Sequence, residues 1–381
     1  MIAFANLVLG RIINTRTMTV QTPLEYIGAT VTILKRHWHN KRRKFRIPEL
    51  ETLTGRLGHI GDTAPWLRFM MSHVYTSVAS ALRASHAHLC TSRQDFRRLL
   101  KMAKAQSSSG SDAAPTALEI SFAQSKMAQM VHKTARSFPI VKSLRAELSL
   151  VARALLSNWI EMSRPIGHFV RRDPSGTAWS DSSLDAAGGF SLDMGFWWYI
   201  EWPRKVRQWT LRYVRDNKSG RLVSINVLEY AALIISYVAS TSYFLRNKDP
   251  SDPYPVALLW ADNTTAEAWV EKACKRSAAG RALGRLQCAL MINNDVGINA
   301  AHIDTKRNEI ADRISRIKRE SNAIPEFQHL MQDFPQLRSC SRFHPSAELV
   351  SLVIDTLLQE RSIDPLKASR RVLADLGKIT T

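Results

Sequence analysis

The chain has 381 residues, 45% of them hydrophobic and 23% charged, which excludes an intrinsically disordered protein and leaves room for two or three globular domains. Fifty-three Lys and Arg stand against 33 Asp and Glu, a formal net charge of +20, and a surplus of that size points to a polyanionic partner, nucleic acid first. Cys90, Cys274, Cys288 and Cys340 are scattered with no CxxC pair, which argues against a disulfide framework and a zinc site.

The surplus is concentrated at the start of the chain, where residues 1–110 carry 17 basic against 5 acidic side chains. Residues 1–30 read as strands, with a β-branched run from Ile12 to Val20. Residues 30–104 read as helices, with Leu50, Leu53 and Leu57 at helical spacing. Early in the helical stretch lies the densest charge: Lys35, Arg36, Lys41, Arg42, Arg43, Lys44 and Arg46, with Trp38 among them and no acid. Phosphate contacts and base stacking are one reading of that run; a nuclear-localisation signal at Lys41–Lys44 is the other. Residues 105–116, rich in Ser, Gly and Pro, read as a linker, and helical pattern resumes from Leu118 to about Ile160.

From residue 176 the period changes. Three short strands are predicted at Thr177–Asp181, Gly189–Leu192 and Phe196–Trp202, then a helix over Val227–Ala239 and a buried strand over Val256–Trp260. Helices over Thr264–Lys275 and Gly280–Asn293, a strand over Gly297–His302 and a helix over Asn308–Lys318 complete the series. The tail after Pro325 reads as helical. The N-terminal Met1–Leu9 lacks the basic n-region of a signal peptide, and Val227–Ser240 falls short of a membrane span, so an intracellular protein (cytoplasm or nucleus) is expected, with no membrane partner.

Four acids sit at the ends or starts of these elements. Asp181 ends the first strand of the series, Glu229 lies in the first turns of the next helix, Asp262 follows the buried strand and Asp312 lies on the last helix. Each alone reads as a cap or a surface acid. Together they suit phosphodiester hydrolysis, which needs several carboxylates converging to hold two magnesium ions. Asn263 and Asn308 could position substrate, or serve as turn and cap residues.

The segments DSSLDAAGGFS, NVLEYAAL, WADNTTA and HIDTKRNEIADRISR, in that order, resemble the RNase H domain of retroelement reverse transcriptases. In the last, His302 precedes Asp312 in an H-x5-N-E-x2-D spacing. The resemblance implies an RNase H-like α/β fold, a mixed five-stranded sheet flanked by helices, over residues 171–322. It also implies Asp181, Glu229, Asp262 and Asp312 as the ligands of two Mg²⁺ ions (Mn²⁺ as a substitute) and His302 as an accessory catalytic group. Upstream, LVLGRIINTRTMTV and RIPELETLTGRLGHIGDTAPWLRFMMSHVY are similar to the end of a polymerase palm and to a helical thumb, over residues 1–105. Residues 106–170 then form a linker and connection, and 323–381 a helical extension. No aromatic-x-Asp-Asp palm motif occurs, so DNA synthesis by this chain alone is not expected. The expected function is hydrolysis of the RNA strand of RNA–DNA hybrids by a truncated retroelement enzyme, with the missing polymerase portion as a possible partner. The alternative is a non-catalytic nucleic-acid-binding remnant of the same polyprotein.

Overall fold

The computed structural model describes the whole chain except residues 1–4, 91–92, 108–115, 134–135, 158–163, 170–171, 216–222, 275–276, 293, 295, 359–363, 368–376 and 381. Two compact units divide it: one contains residues 1–23, 61–72 and 157–381, the other residues 24–60 and 73–156.

The second unit is helical, built on Leu24–His37, Ile47–Gly61, Ser72–Cys90, Arg93–Ser107, Ala117–Lys133 and Lys142–Leu156, with Lys44–Arg46 paired antiparallel to Ser137–Pro139. The first of these helices begins at Leu24, inside the stretch read as strands. Most of the expected linker, residues 108–115, lies outside the described residues. At the N-terminus, Ala5–Val8, Arg11–Asn14 and Thr19–Gln21 form an antiparallel meander, as the β-branched run suggested.

The larger part of the first unit is a mixed α/β fold. Its elements run β1 (Gly176–Ser182), β2 (Ala186–Ser191), β3 (Phe196–Glu201), α1 (Arg204–Arg215), α2 (Ile225–Arg246), β4 (Val256–Ala261), α3 (Thr264–Lys272), α4 (Ala278–Ile292), β5 (Gly297–His302), α5 (Glu309–Ser315), α6 (Ala323–Asp333), β6 (Ser341–Pro345), α7 (Ala347–Leu357) and β7 (Gly377–Thr380). The sheet has seven strands in the order β5-β4-β1-β2-β3-β6-β7. β1, β2 and β3 are antiparallel; β4 runs parallel to β1, and β5 parallel to β4. Two expectations are corrected here. The sheet does not stop at five strands, because the tail read as helical supplies β6, parallel to β3, and β7, antiparallel to β6. A helix, α1, also stands where none was expected; its arginines mask a narrow apolar stripe that buries Val206 and packs Trp209 on the core.

Side chains alternate across each strand, so the sheet carries a core on both faces. Phe196, Trp198 and Ile200 of β3 join α2, α3, α4 and α7 on one face. Trp197 and Tyr199 join Ala311 and Ile314 of α5 and Phe327 of α6 on the other, and the Trp197 and Phe327 rings stack 3.9 Å apart. The aromatic run is thus core on both sides. Helix α2 is apolar almost all round, as a helix enclosed by protein must be. By length and composition it could cross a membrane, yet 94% of its apolar window is buried in this unit, and its 22 residues exceed the short span expected. Several of its polar groups are satisfied: Ser236 accepts from Trp198 Nε1 at 3.0 Å, and Tyr230 donates to Gln287 at 2.6 Å, whereas Glu229 Oε2 and Thr241 Oγ1 are buried without a partner.

Gly188 pairs with Asp181 across the β1–β2 ladder, and a Cβ there would collide with the Ile314 side chain and lie 3.1 Å from the Ile314 carbonyl carbon. Glycine in this strand is what lets α5 lie against the sheet. Gly188→Ala is expected to cost about 1–3 kcal/mol through overpacking, read as a lower urea midpoint at unchanged slope.

Candidate metal site

The register of the sheet assembles the site. β1 and β4 are parallel, with Trp179 beside Trp260, and two residues further along lie Asp181 and Asp262. Neighbouring strands run about 4.8 Å apart, so two carboxylates at matched positions on adjacent strands are brought together by backbone geometry alone. Glu229 comes from the second turn of α2, the helix packed on those strands. One carboxylate oxygen from each of Asp181, Glu229 and Asp262 falls in a set whose members all lie within 4.8 Å of one another.

Asp181 and Glu229 are buried, 5% and 4% exposed, and Asp262 is half-buried. Burial, with the Asp262 and Asp312 charges added, pushes the Asp181 carboxyl up to about 6, although Ser315 Oγ donates to its Oδ2 at 2.5 Å. Burial likewise holds Glu229 well above the usual carboxylate range, reinforced by Asp181 and Asp262 and offset in part by the Ser182 backbone. Glu229 Oε2 is enclosed with no hydrogen-bond partner. A buried carboxylate oxygen without a donor, facing two more carboxylates, is the environment that a hard divalent cation satisfies and that neutral donors do not. This buried acidic cluster could hold a metal ion.

Asp312, the fourth expected ligand, stands outside the 4.8 Å set. It is near enough for its charge to raise both Asp181 and Glu229, and its own carboxylate is taken by Arg316, one turn on. His302 is exposed at the end of β5, in register with Ala261, the residue before Asp262. Both asparagines have structural partners. Asn263 caps α3, accepting from Thr265 N and Ala266 N at 3.0 Å, and donates to Asn226. Asn308 is buried and donates to the Ser180 carbonyl at 3.1 Å. Ser315 and Arg316 were not singled out from the sequence, although their spacing of three and four residues from Asp312 places them one turn along the same helix.

In the helical unit, Lys35, Arg36, Lys41, Arg43 and Lys44 are exposed. Trp38 is not available as a stacking platform: it is 7% exposed, 6.1 Å from Phe45 between ring centres, with the Arg42 guanidinium over its face at 4.7 Å. Arg42 in turn is held by Glu49 at 2.5 Å and by the Lys44 and His37 carbonyls, so it braces the loop. The physical reason in both cases is that the loop after the first helix folds back on itself, and the aromatic ring is its core.

No protein-family model matches the chain, and no curated protein matches it either.

The raised Asp181 carboxyl fixes a pH dependence. The unfolded acid releases its proton near 3.8 and the folded one near 6, so folding binds protons between those values and this group's contribution is lost as pH rises through them. In EDTA, Asp181→Asn should therefore gain stability relative to the parent chain between pH 4 and 7, by on the order of 3 kcal/mol. Mg²⁺ at pH 7 should shrink the gain. Urea midpoints of both proteins across that range test it, and a pH-independent difference would count against burial as the cause.

Proposed function

We propose that this chain is a metal-dependent ribonuclease H of retroelement reverse-transcriptase type, which hydrolyses the RNA strand of RNA–DNA hybrids. The observation that carries the reading is the convergence of Asp181, Glu229 and Asp262 around the unpartnered Glu229 Oε2. The element order from β1 to α5, apart from the inserted α1, is the order read from the periodicity of the sequence, and it brings these acids to one end of the sheet.

Asp181, Glu229 and Asp262, joined by Asp312, would hold two magnesium ions. Bound there, such ions supply a water activated at neutral pH and charge to stabilise the leaving oxygen. The chain's own groups do the rest. Ser315 fixes the Asp181 rotamer, and Ser182 orients Glu229 through its backbone. His302, exposed and in register with Ala261, would exchange a proton with the departing product. Exposed basic side chains at Lys35, Arg36, Lys41, Arg43 and Lys44 would contact phosphates without reading sequence. The non-catalytic alternative draws on one observation, the Arg316 guanidinium occupying the fourth acid.

On a labelled hybrid with Mg²⁺, Asp262→Asn should abolish cleavage and leave binding within a few-fold, since an amide cannot replace the carboxylate. Unimpaired cleavage in that variant would exclude Asp262 from the site; no cleavage by the parent chain would favour the non-catalytic reading. His302→Ala should slow turnover by about ten- to a hundredfold without abolishing it.

Replacing Lys41, Arg43 and Lys44 together by Ala, and leaving Arg42 to its bracing role, should lower the log–log salt slope of hybrid binding by about 2–3 units. An unchanged slope would assign the run to localisation.

A further inference from the structure

The fourth acid differs from the other three in having a cation already in place. Arg316 Nε lies 2.9 and 2.8 Å from the two Asp312 carboxylate oxygens, and Nη2 lies 2.6 Å from Oδ1. That planar, two-pronged contact is the geometry in which arginine binds carboxylate best. The other acids have nothing comparable: Asp181 accepts from a neutral hydroxyl, and Glu229 Oε2 from no group. Asp312 is only 26% exposed, while Arg316 is 67% exposed, so the guanidinium can leave toward solvent without disturbing a packed core.

We infer that Arg316 is a tethered counter-cation standing where a second divalent ion would bind Asp312, so that the cluster takes one ion directly and a second only by displacing Arg316. This rests on the metal-site reading above and adds an ordering to it. With the guanidinium on both oxygens, a divalent ion would have to use the remaining lone pairs beside a positive charge, so the two cations compete for the carboxylate. Arg316 also feels Asp181 and Asp262, and so it neutralises part of the cluster's charge in the singly loaded state. The consequence is a pair of unequal sites: a first, set by Asp181, Glu229 and Asp262, and a second, weakened by the exchange.

Mn²⁺ titration of the full chain, followed by calorimetry and by the electron paramagnetic resonance of free Mn²⁺, tests this without any nucleic acid. Arg316→Gln should tighten the weaker site by about two- to fivefold, the range of a partly exposed ion pair, and leave the stronger site unchanged. Arg316→Lys, which keeps the charge and loses the fork, should fall between. Arg313→Gln is the control for net charge: Arg313 lies on the same helix but pairs with Asp333 at 2.7 Å, and its loss should not favour the weaker site. Equal weak-site affinity in all four proteins overturns the inference and leaves the metal site standing. Equal tightening by Arg316→Gln and Arg313→Gln overturns it too, reducing the effect to overall charge. No saturable Mn²⁺ binding in any of the four overturns the metal-site reading and the inference with it.

Discussion

Three carboxylates within 4.8 Å of one another, two of them buried, are the constraint around which this fold is arranged. Left charged and unpaired, such a group would repel itself apart. The structure holds it by rigid means rather than by local attraction. Asp181 and Asp262 are fixed by the register of a central parallel strand pair, and Glu229 by a helix enclosed in the core. Relief comes from one hydroxyl, one backbone contact and protonation. Rigidity is therefore a condition for keeping the acids in place, and the stability stored in the core on both faces of the sheet supplies it.

Helix α2 shows how one element serves both ends. Its second turn carries Glu229, while the rest of its length is the centre of the larger core. Several of its hydroxyls tie it to neighbouring elements: Trp198 Nε1 donates to Ser236, Tyr230 donates to Gln287, and Tyr237 lies 2.9 Å from both Asn294 Oδ1 and the Val296 carbonyl. These directional contacts fix the rotation of α2 about its axis, which apolar packing alone would leave freer. The rotation decides where Glu229 points.

The strands from β1 to β5 were legible because their apolar runs are short and bounded by turn residues, and the acids were legible because each has apolar neighbours, Asp181 and Asp262 at strand ends and Glu229 and Asp312 on helices. β6 and β7 were not. SRFHP and GKIT are short and mixed in polarity, and they become strands by pairing with an existing edge rather than by local pattern. α1 was hidden by its own charge, with Arg204, Lys205, Arg207 and Arg212 around the stripe that holds Val206 and Trp209. Trp38 misled for a related reason: a tryptophan among seven basic residues reads as exposed, and only the chain reversal that brings Phe45 and Arg42 against it shows otherwise. Arg316 was legible in spacing but not in role, since an i,i+4 pair on a helix surface is ordinary until one partner belongs to a cluster of acids.

The pairing of β6 with β3 bears on how the sheet comes to exist. Phe196 finds its partner at Ser341, across more than a third of the chain, and β7 then closes on β6 over a much shorter separation. Until those segments arrive, β3 presents a row of open backbone groups flanked by Trp197 and Trp198, an edge suited to pairing with another molecule. Closing a loop of that length is entropically slow, so the growing chain passes through a stage in which this aromatic-rich strand is finished and its edge uncovered. The half-made sheet is thus the aggregation-prone species of this protein, and the last strands act as its seal.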